Sequence, residues 1–218
     1  MSVAFAAVVL VLLAVVFYLR RRNPAQRMPE SMQGPLLARN LDFECPSDYC
    51  FHLGHTWMAQ ETPGMARVGV DALAVRLLGK VDQVTVIGEQ RWVRQGQKLL
   101  TLSCHRETLG LPSPLEGVVV AINAEVIRDP GLMLRVPYRR GWVCAIKSPE
   151  IETDERNLIQ GPFAAGWMRH SVDAVNSILA QEGLSLAMPE EELLARLTPE
   201  SRRRVMEEIF LPNLARAG

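Results

Sequence analysis

Residues Leu102–Gly117 read LSCHRETLGLPSPLEG, and the segments on either side of them decide the fold class. The chain from Lys98 to Cys104 has the residue pattern of a β-strand. After the quoted stretch, the run VVVAI from Val118 to Ile122 is a further predicted strand. The centre of the stretch is therefore the candidate tip of a tight hairpin.

Short β-branched runs separated by turn residues extend over residues 48–150, a pattern typical of a small all-β sandwich or barrel. Residues 92–96 are a predicted turn. Asp71 is the predicted N-cap of a brief helix, DALAVRLLG, which Gly79 ends. The other predicted strands are Ala66–Val70, Val81–Ile87 and Trp142–Ile146.

Residues 151–218 change to a helical period. One predicted helix ends at Gly183, a second opens at Pro189 and a third at Thr198–Pro199. The residues at helix spacing in the first are Trp167, Ser171, Val175 and Ile178. We therefore predict a mainly β domain with a C-terminal helical extension.

The N-terminal region has the composition of a membrane anchor. Val3–Leu19 holds 17 apolar residues without a charge, about 25 Å of helix against a hydrocarbon layer of about 30 Å. Three arginines, Arg20–Arg22, follow at once, which opposes a cleaved signal peptide and places the rest of the chain in the cytoplasm. We predict a transmembrane helix with a basic stop over residues 1–22 and a juxtamembrane linker over residues 23–47.

The overall charge argues against one class of function. The chain has 218 residues with 24 basic and 24 acidic side chains, so no net charge attracts nucleic acid. A 48% hydrophobic content suits one compact domain plus appendages.

The cysteines are predicted to be thiols or ligands, because the cytoplasm is reducing. Four side chains that could bind a metal lie within a dozen residues, but their spacings C-x4-C, C-x-H and H-x2-H differ from those of common zinc sites. We expect no metal, with these four as weak candidates. The four are Cys45, Cys50, His52 and His55; the remaining cysteines are Cys104 and Cys144.

Three further groups have both a functional and a structural interpretation. Cys104, beside His105 and Arg106, is a candidate reactive thiol, although we favour an inward-pointing Cys104 at the end of its strand. For the tryptophans at positions 57, 92 and 142 we favour core packing over ligand binding. For Arg202–Arg204 we favour a solvated helix face over contact with lipid headgroups.

Several of these segments together resemble the H protein of the glycine cleavage system, a relative of biotinyl and lipoyl carrier domains. His55-Thr56-Trp57 looks like the opening H-x-W of that family, and ARVGVDALAVRLLGKVDQVTV is similar to its strand, short helix and strand. VRQGQKLLTLSC, SPLEGVVVAIN and PYRRGWVCAIK are similar to the strand into its display hairpin, the return strand and the closing strand. The resemblance implies a lipoyl-carrier-like barrel-sandwich hybrid.

In that family the hairpin presents a lysine that carries lipoate as an amide, and counting back from Ser113-Pro114 puts Arg106 at this position. A guanidinium group keeps its charge to above about pH 12 and is not a nucleophilic amine. The three lysines of the chain fall in or beside predicted strands. They are Lys80, Lys98 and Lys147. We therefore predict that Arg106 is unmodified and that lipoate is absent.

The prediction is a membrane-anchored, cytoplasmic H-protein-like module that is not an enzyme and acts as a protein-binding scaffold. Glycine-cleavage enzymes or other lipoate-dependent enzymes are the candidate partners, and nucleic acid is not. Two alternatives stay open. The chain is a working lipoyl carrier if a lysine such as Lys98 reaches the hairpin tip, or a thiol or persulfide carrier if Cys104 is reactive.

Overall fold

The computed structural model describes residues 43–104, 107–188 and 193–210. Within them the chain forms a mainly β domain followed by helices, which confirms the predicted class. The strands are β1 (Cys50–Phe51), β2 (Thr56–Thr62), β3 (Met65–Val70), β4 (Gln83–Val86), β5 (Trp92–Val93), β6 (Lys98–Cys104), β7 (Glu107–Pro112), β8 (Gly117–Ile122) and β9 (Trp142–Lys147). The helices are α1 (Ala72–Leu78), α2 (Ala124–Arg128), α3 (Gly131–Arg135), α4 (Ile151–Glu155), α5 (Pro162–Gln181), α6 (Leu193–Arg196) and α7 (Pro199–Phe210).

The described strands form two antiparallel sheets. The larger has the order β1-β2-β3-β9-β8-β5 and the smaller the order β4-β6-β7. The strand β9, last in the chain, lies between β3 and β8 in the larger sheet. The predicted strands at residues 66–70, 118–122 and 142–146 are therefore neighbours in space although they are far apart in sequence.

One side of the larger sheet, the inner face, is aliphatic. Val68 is the register partner of both Met58 and Cys144, and each of the three is at most 1% exposed. Register partners point to the same side of a sheet, and these join a hydrophobic core that includes Leu100 and Leu102 of the smaller sheet. Full burial of an aliphatic side chain contributes about 1.5–3 kcal/mol, so this core is a large stabilising contribution.

The opposite side of the larger sheet, the outer face, carries an aromatic cluster. Phe51 and Trp57 are buried there together with Ala164 of α5, and Tyr138 packs against them. The indole Nε1 of Trp57 donates a hydrogen bond of 3.0 Å to the carbonyl of Val70, which satisfies its one polar atom. The start of α5 therefore covers part of the outer face.

The helix α1 forms as predicted. The Asp71 carboxylate accepts a hydrogen bond of 2.9 Å from the backbone N–H of Ala74, as an N-cap does. Gly79 ends the helix with φ 65°, a conformation that glycine adopts without strain. Leu73, Leu77 and Leu78 are buried, so this short helix closes one side of the core.

The C-terminal helices are also close to their predicted positions. α5 ends before Gly183, which has φ 68°, and α7 begins after Thr198, whose side-chain oxygen accepts from the N–H of Ser201. The predicted start of the second helix at Pro189 lies outside the described residues. Val175 of α5 and Val205 of α7 are 0% exposed and belong to the same core as the strands.

Part of the β-region differs from the prediction. The hairpin returns through β7, whereas the predicted return strand at residues 118–122 is β8 of the other sheet. In β7 only Leu109 and Leu111 give a strand signal, since Gly110 and Pro112 weaken it. The predicted turn at residues 92–96 begins with the edge strand β5. The short helices α2, α3 and α4 have five residues each, too few to show a periodicity.

The predicted transmembrane anchor at residues 1–22 lies outside the described residues, as does most of the predicted linker at residues 23–47. No helix within the described ranges is long and apolar enough to cross a membrane. Phe43 and Cys45, at the end of the predicted linker, pack against the core of the domain.

Candidate functional site

The candidate site from the sequence is the hairpin of β6 and β7. Its strands pair in antiparallel register up to Cys104 and Glu107, so two residues connect the paired ends. These are His105 and Arg106, and both lie outside the described residues. The hairpin that the sequence predicts is present, with the predicted lipoyl position in its connection.

The thiol of Cys104 lies at the buried end of β6. Cys104 is 6% exposed and belongs to the main hydrophobic core, as does Leu102 two positions earlier on the same face. This is the inward position favoured from the sequence. A buried thiol is not in the electropositive, accessible surroundings that make a cysteine nucleophilic.

The three lysines lie outside the two-residue connection, in or beside other strands and α1. Lys98 is the register partner of Pro112, at the end of β6 that is opposite the connection. Lys147 ends β9 and pairs with Met65 and Val118, while Lys80 is exposed just after α1. Two residues after Lys80, the backbone N–H of Asp82 donates to the carbonyl of Ser103 at 2.8 Å, so the segment that carries Lys80 runs beside the connection end of β6.

The four weak metal candidates are not brought together. Cys45 donates to the Ala164 carbonyl and Cys50 to the Gln160 side chain, each at 3.6 Å. His52 Nδ1 instead accepts from the N–H of Gly54 at 2.9 Å. Among the described residues, no group of three or more His, Cys, Asp or Glu side chains could hold a metal ion.

Burial keeps the described thiols protonated. It raises the pKa of Cys45 and of Cys50 to about 11, and that of Cys144 to about 12. None of the four cysteines, all within the described part of the chain, forms a disulfide.

His55 has a structural role that the sequence did not reveal. Its Nδ1 lies 2.6 Å from Asp71 Oδ2, and both side chains are buried. The ring of Trp167 stacks on His55 with centroids 4.7 Å apart, and Phe210 approaches its edge at 6.3 Å. His55 therefore links the start of β2 to the cap of α1 and to the C-terminal helices.

The tryptophans divide between the two interpretations. Trp57 is buried as predicted, but Trp92 is 49% exposed on the edge strand β5, so core packing is wrong for Trp92. Trp142 is partly buried and has the Arg67 guanidinium 5.1 Å from its ring centroid. β5 pairs only with β8 and ends the larger sheet, so Trp92 has no neighbouring strand on its other side to cover it.

The arginines of α7 form polar contacts along an exposed face. Arg203 makes ion pairs of 3.3 Å with Glu200 and 3.2 Å with Glu207. Arg204 donates to the side chain of Gln181 in α5 at 3.0 Å. These contacts agree with the solvated face favoured from the sequence.

Comparison with known proteins supports the family resemblance that the sequence shows. A family model described as "Glycine cleavage H-protein" matches residues 50–171. The glycine cleavage system H protein of Aliivibrio salmonicida is 31% identical over 114 residues, which cover 52% of this chain and 90% of that protein. The probable glycine cleavage system H protein 2 of Sulfolobus acidocaldarius is 31% identical over 108 residues, or 50% and 72%.

Among solved structures, a glycine cleavage system H protein from Mycobacterium marinum is similar with a TM-score of 0.45 and 24% sequence identity. The match covers 48% of this chain and 87% of that chain.

Proposed function

The chain belongs to the glycine cleavage H-protein family, and from this premise we propose that it is a membrane-tethered member that carries no lipoate and acts by binding a partner protein. The observation that carries the proposal is the two-residue connection of the β6–β7 hairpin, which contains His105 and Arg106 and no lysine. In this proposal the two sheets are the barrel-sandwich hybrid of lipoyl carriers, kept as a binding module.

Membership of the family fixes the coarser function. The family consists of carrier proteins rather than enzymes, and it implies interaction with proteins of the glycine cleavage system. The proposed protein partner is therefore drawn first from that system.

The loss of lipoylation rests on the chemistry of Arg106. Forming the amide requires a primary amine that can lose a proton, whereas the guanidinium group stays charged and its lone pairs are delocalised. Ser113-Pro114, from which the position is counted, directly follows β7. The positions of Lys98, at the opposite end of β6, and of Lys147, at the end of β9, support the same proposal.

The proposed tether rests on sequence alone. The apolar segment Val3–Leu19 followed by Arg20–Arg22 has the pattern of a single span with the domain on the cytoplasmic side. Such a tether raises the local concentration of a bound partner at the membrane. Cell fractionation tests it: the full chain should sediment with membranes, and a chain lacking residues 1–22 should not.

Mass spectrometry of the full chain from its host tests the modification. We expect the intact mass without a lipoyl group, because Arg106 offers no acylatable amine. Arg106→Lys is the matched positive control, since it restores the amine at the same place and should gain the lipoyl group. A lipoyl adduct on any native lysine would mean that the chain is a working aminomethyl carrier. An unmodified Arg106→Lys chain would mean that this position is not the one that lipoyl ligases recognise.

A detergent pull-down with the tagged full chain tests the binding role. Recovery of glycine-cleavage proteins is expected, and it should be independent of the lipoylation state. Recovery that appears only with the lipoylated Arg106→Lys variant would contradict a binding role for the unmodified chain. The thiol-carrier alternative has no support from the buried position of Cys104.

A further inference from the structure

A pocket opens on the outer face of the larger sheet. It does not include the β6–β7 hairpin, which belongs to the smaller sheet. Its volume is about 340 Å³, and strands β2, β3 and β9 form its floor. The loop that precedes β9 contributes Tyr138, Arg139 and Arg140. The remaining lining residues are Tyr49, Trp57, Ala59, Arg67 and Trp142.

The floor of the pocket depends on a glycine. Gly69 is the register partner of both Trp57 and Trp142, so it lies between the two indoles. A Cβ at Gly69 would come into steric conflict with Cζ2 and Cε2 of Trp57. The absence of a side chain at this position lets the Trp57 ring lie across the sheet, and Ala59 keeps the next position open.

The cations of the pocket are only partly neutralised. Arg67 pairs with Glu61, and Arg140 pairs with Glu125 at 2.8 Å. Arg139 is exposed, and within the described residues it forms no ion pair. Among the residues that the structure describes, no carboxylate lines the pocket, and the charge of Arg139 gives it an electrostatic potential that favours an anion.

The two tyrosines are held in place by the fold. The Tyr49 hydroxyl donates to the carbonyl of Tyr138, and the Tyr138 hydroxyl accepts from the N–H of Ala72 at 3.3 Å. Burial raises the pKa of both phenols above their ordinary value, so they remain neutral and add no negative charge. The aromatic wall is therefore preformed and compatible with an anionic guest.

We infer that this pocket is a binding site for a small aromatic anion, that is, an aromatic ring carrying a carboxylate or a phosphate. The tryptophan and tyrosine rings of the lining offer ring contacts, and the exposed guanidinium group of Arg139 matches the geometry of either anion. A volume of about 340 Å³ is at the lower end of small-molecule pockets and admits one ring with its charged group. The inference is independent of the lipoylation state of the chain.

Calorimetric titration of the full chain, kept soluble with a mild detergent, tests the site with four probes. They are phenyl phosphate, benzoate, inorganic phosphate and benzyl alcohol. At least one of the two ring-bearing anions should bind saturably, with inorganic phosphate and benzyl alcohol about tenfold weaker or more because each makes half of the contacts. The stronger of phenyl phosphate and benzoate identifies the anion class. No saturable binding of either would overturn the inference.

Two arginine variants distinguish binding in this pocket from a general effect of the net charge of the chain. Arg139→Gln should weaken the ring-bearing anion about tenfold, as expected for the loss of one charged hydrogen bond. Arg94→Gln is the matched control, because Arg94 is also an exposed arginine but lies outside the pocket. Equal weakening by both variants would indicate net charge and not this pocket, and it would also overturn the inference.

Discussion

The two faces of the larger sheet differ in the side chains that stabilise them: the inner face is aliphatic and the outer face is aromatic. On the inner face Met58, Val68 and Cys144 are neighbours across three strands, and their packing requires no hydrogen-bond partner. On the outer face Trp57 needs both an acceptor, the Val70 carbonyl, and the space above Gly69. The inner face can therefore be packed by many apolar side chains of suitable volume, whereas the outer face requires particular partners.

This difference between the two faces indicates that the inner face serves stability, whereas the outer face also leaves room for a ligand. The inner face packs against residues of the smaller sheet and of α1 in one hydrophobic core. The outer face is closed only in part, by α5 and Tyr138, and the uncovered part is the pocket beside Arg67 and Trp142. A surface that combines rings and cations in an open position is suited to ligands.

The largest loss of stability should follow from truncating Trp57, at the centre of the outer face. Trp57→Ala should lower the free energy of unfolding by about 4 kcal/mol, because it empties a large buried volume and leaves the Val70 carbonyl without its donor. Urea unfolding of the full chain measures it. Trp92→Ala is the matched control, and since Trp92 is 49% exposed its effect should be far smaller. Equal losses would show that the outer face does not contribute as a packed cluster.

Met58 follows Trp57 in β2 but lies on the inner face, so its substitution tests how that face is packed. Met58→Ala should cost about 3 kcal/mol, somewhat less than Trp57→Ala, because a smaller side chain is lost and no polar partner is exposed. Met58→Leu should cost less than about 1.5 kcal/mol, since the inner face accepts a side chain of similar volume. The same urea titration applies. A Met58→Leu loss as large as that of Met58→Ala would contradict the tolerance expected of this face.

The inner face was predictable and the outer face was not, for a physical reason. Alternating apolar residues report a buried strand face directly, so Val68 and Leu102 could be assigned from local sequence. The outer face depends on the loop with Tyr138 and on α5, which meet β2 only after the chain has folded. No local pattern distinguishes Trp57, which is covered by these elements, from Trp92, which is not.

A third prediction concerns the junction of the two faces at Asp71. Asp71→Ala removes both the cap of α1 and the partner of His55, and it should cost about 2 kcal/mol or more. Asp71→Asn keeps an acceptor for the N–H of Ala74 but removes the carboxylate beside His55, so the difference between the two variants isolates the cap. Thermal unfolding by circular dichroism measures both. Equal effects would mean that the cap contributes nothing measurable.

The candidate site shows the same limit of local inference. The β6 strand follows from sequence, because strand signals are local, whereas the lipoyl position at Arg106 stays a prediction. The coupling of His55 to Asp71 and Trp167 does not follow from sequence, because it joins residues from three separate elements. The pocket was missed for the same reason, although Arg139, Arg140 and Trp142 are close together in the chain.

The smallest predicted effect is a pH dependence from His52, at the turn between β1 and β2. Burial, and then the nearby His55, lower the pKa of His52, and its Nδ1 accepts a hydrogen bond from Gly54 that a protonated ring could not accept. The unfolded chain therefore binds this proton more tightly, so stability decreases as the pH falls through the ordinary imidazole value of about 6.5 and toward the lower folded value. His52→Gln should reduce this slope between pH 7.5 and about pH 5, while His170→Gln, at an exposed position of α5, should leave it unchanged. If the stability of His52→Gln depends on pH as steeply as that of the native chain, the acid sensitivity comes from another group and not from His52.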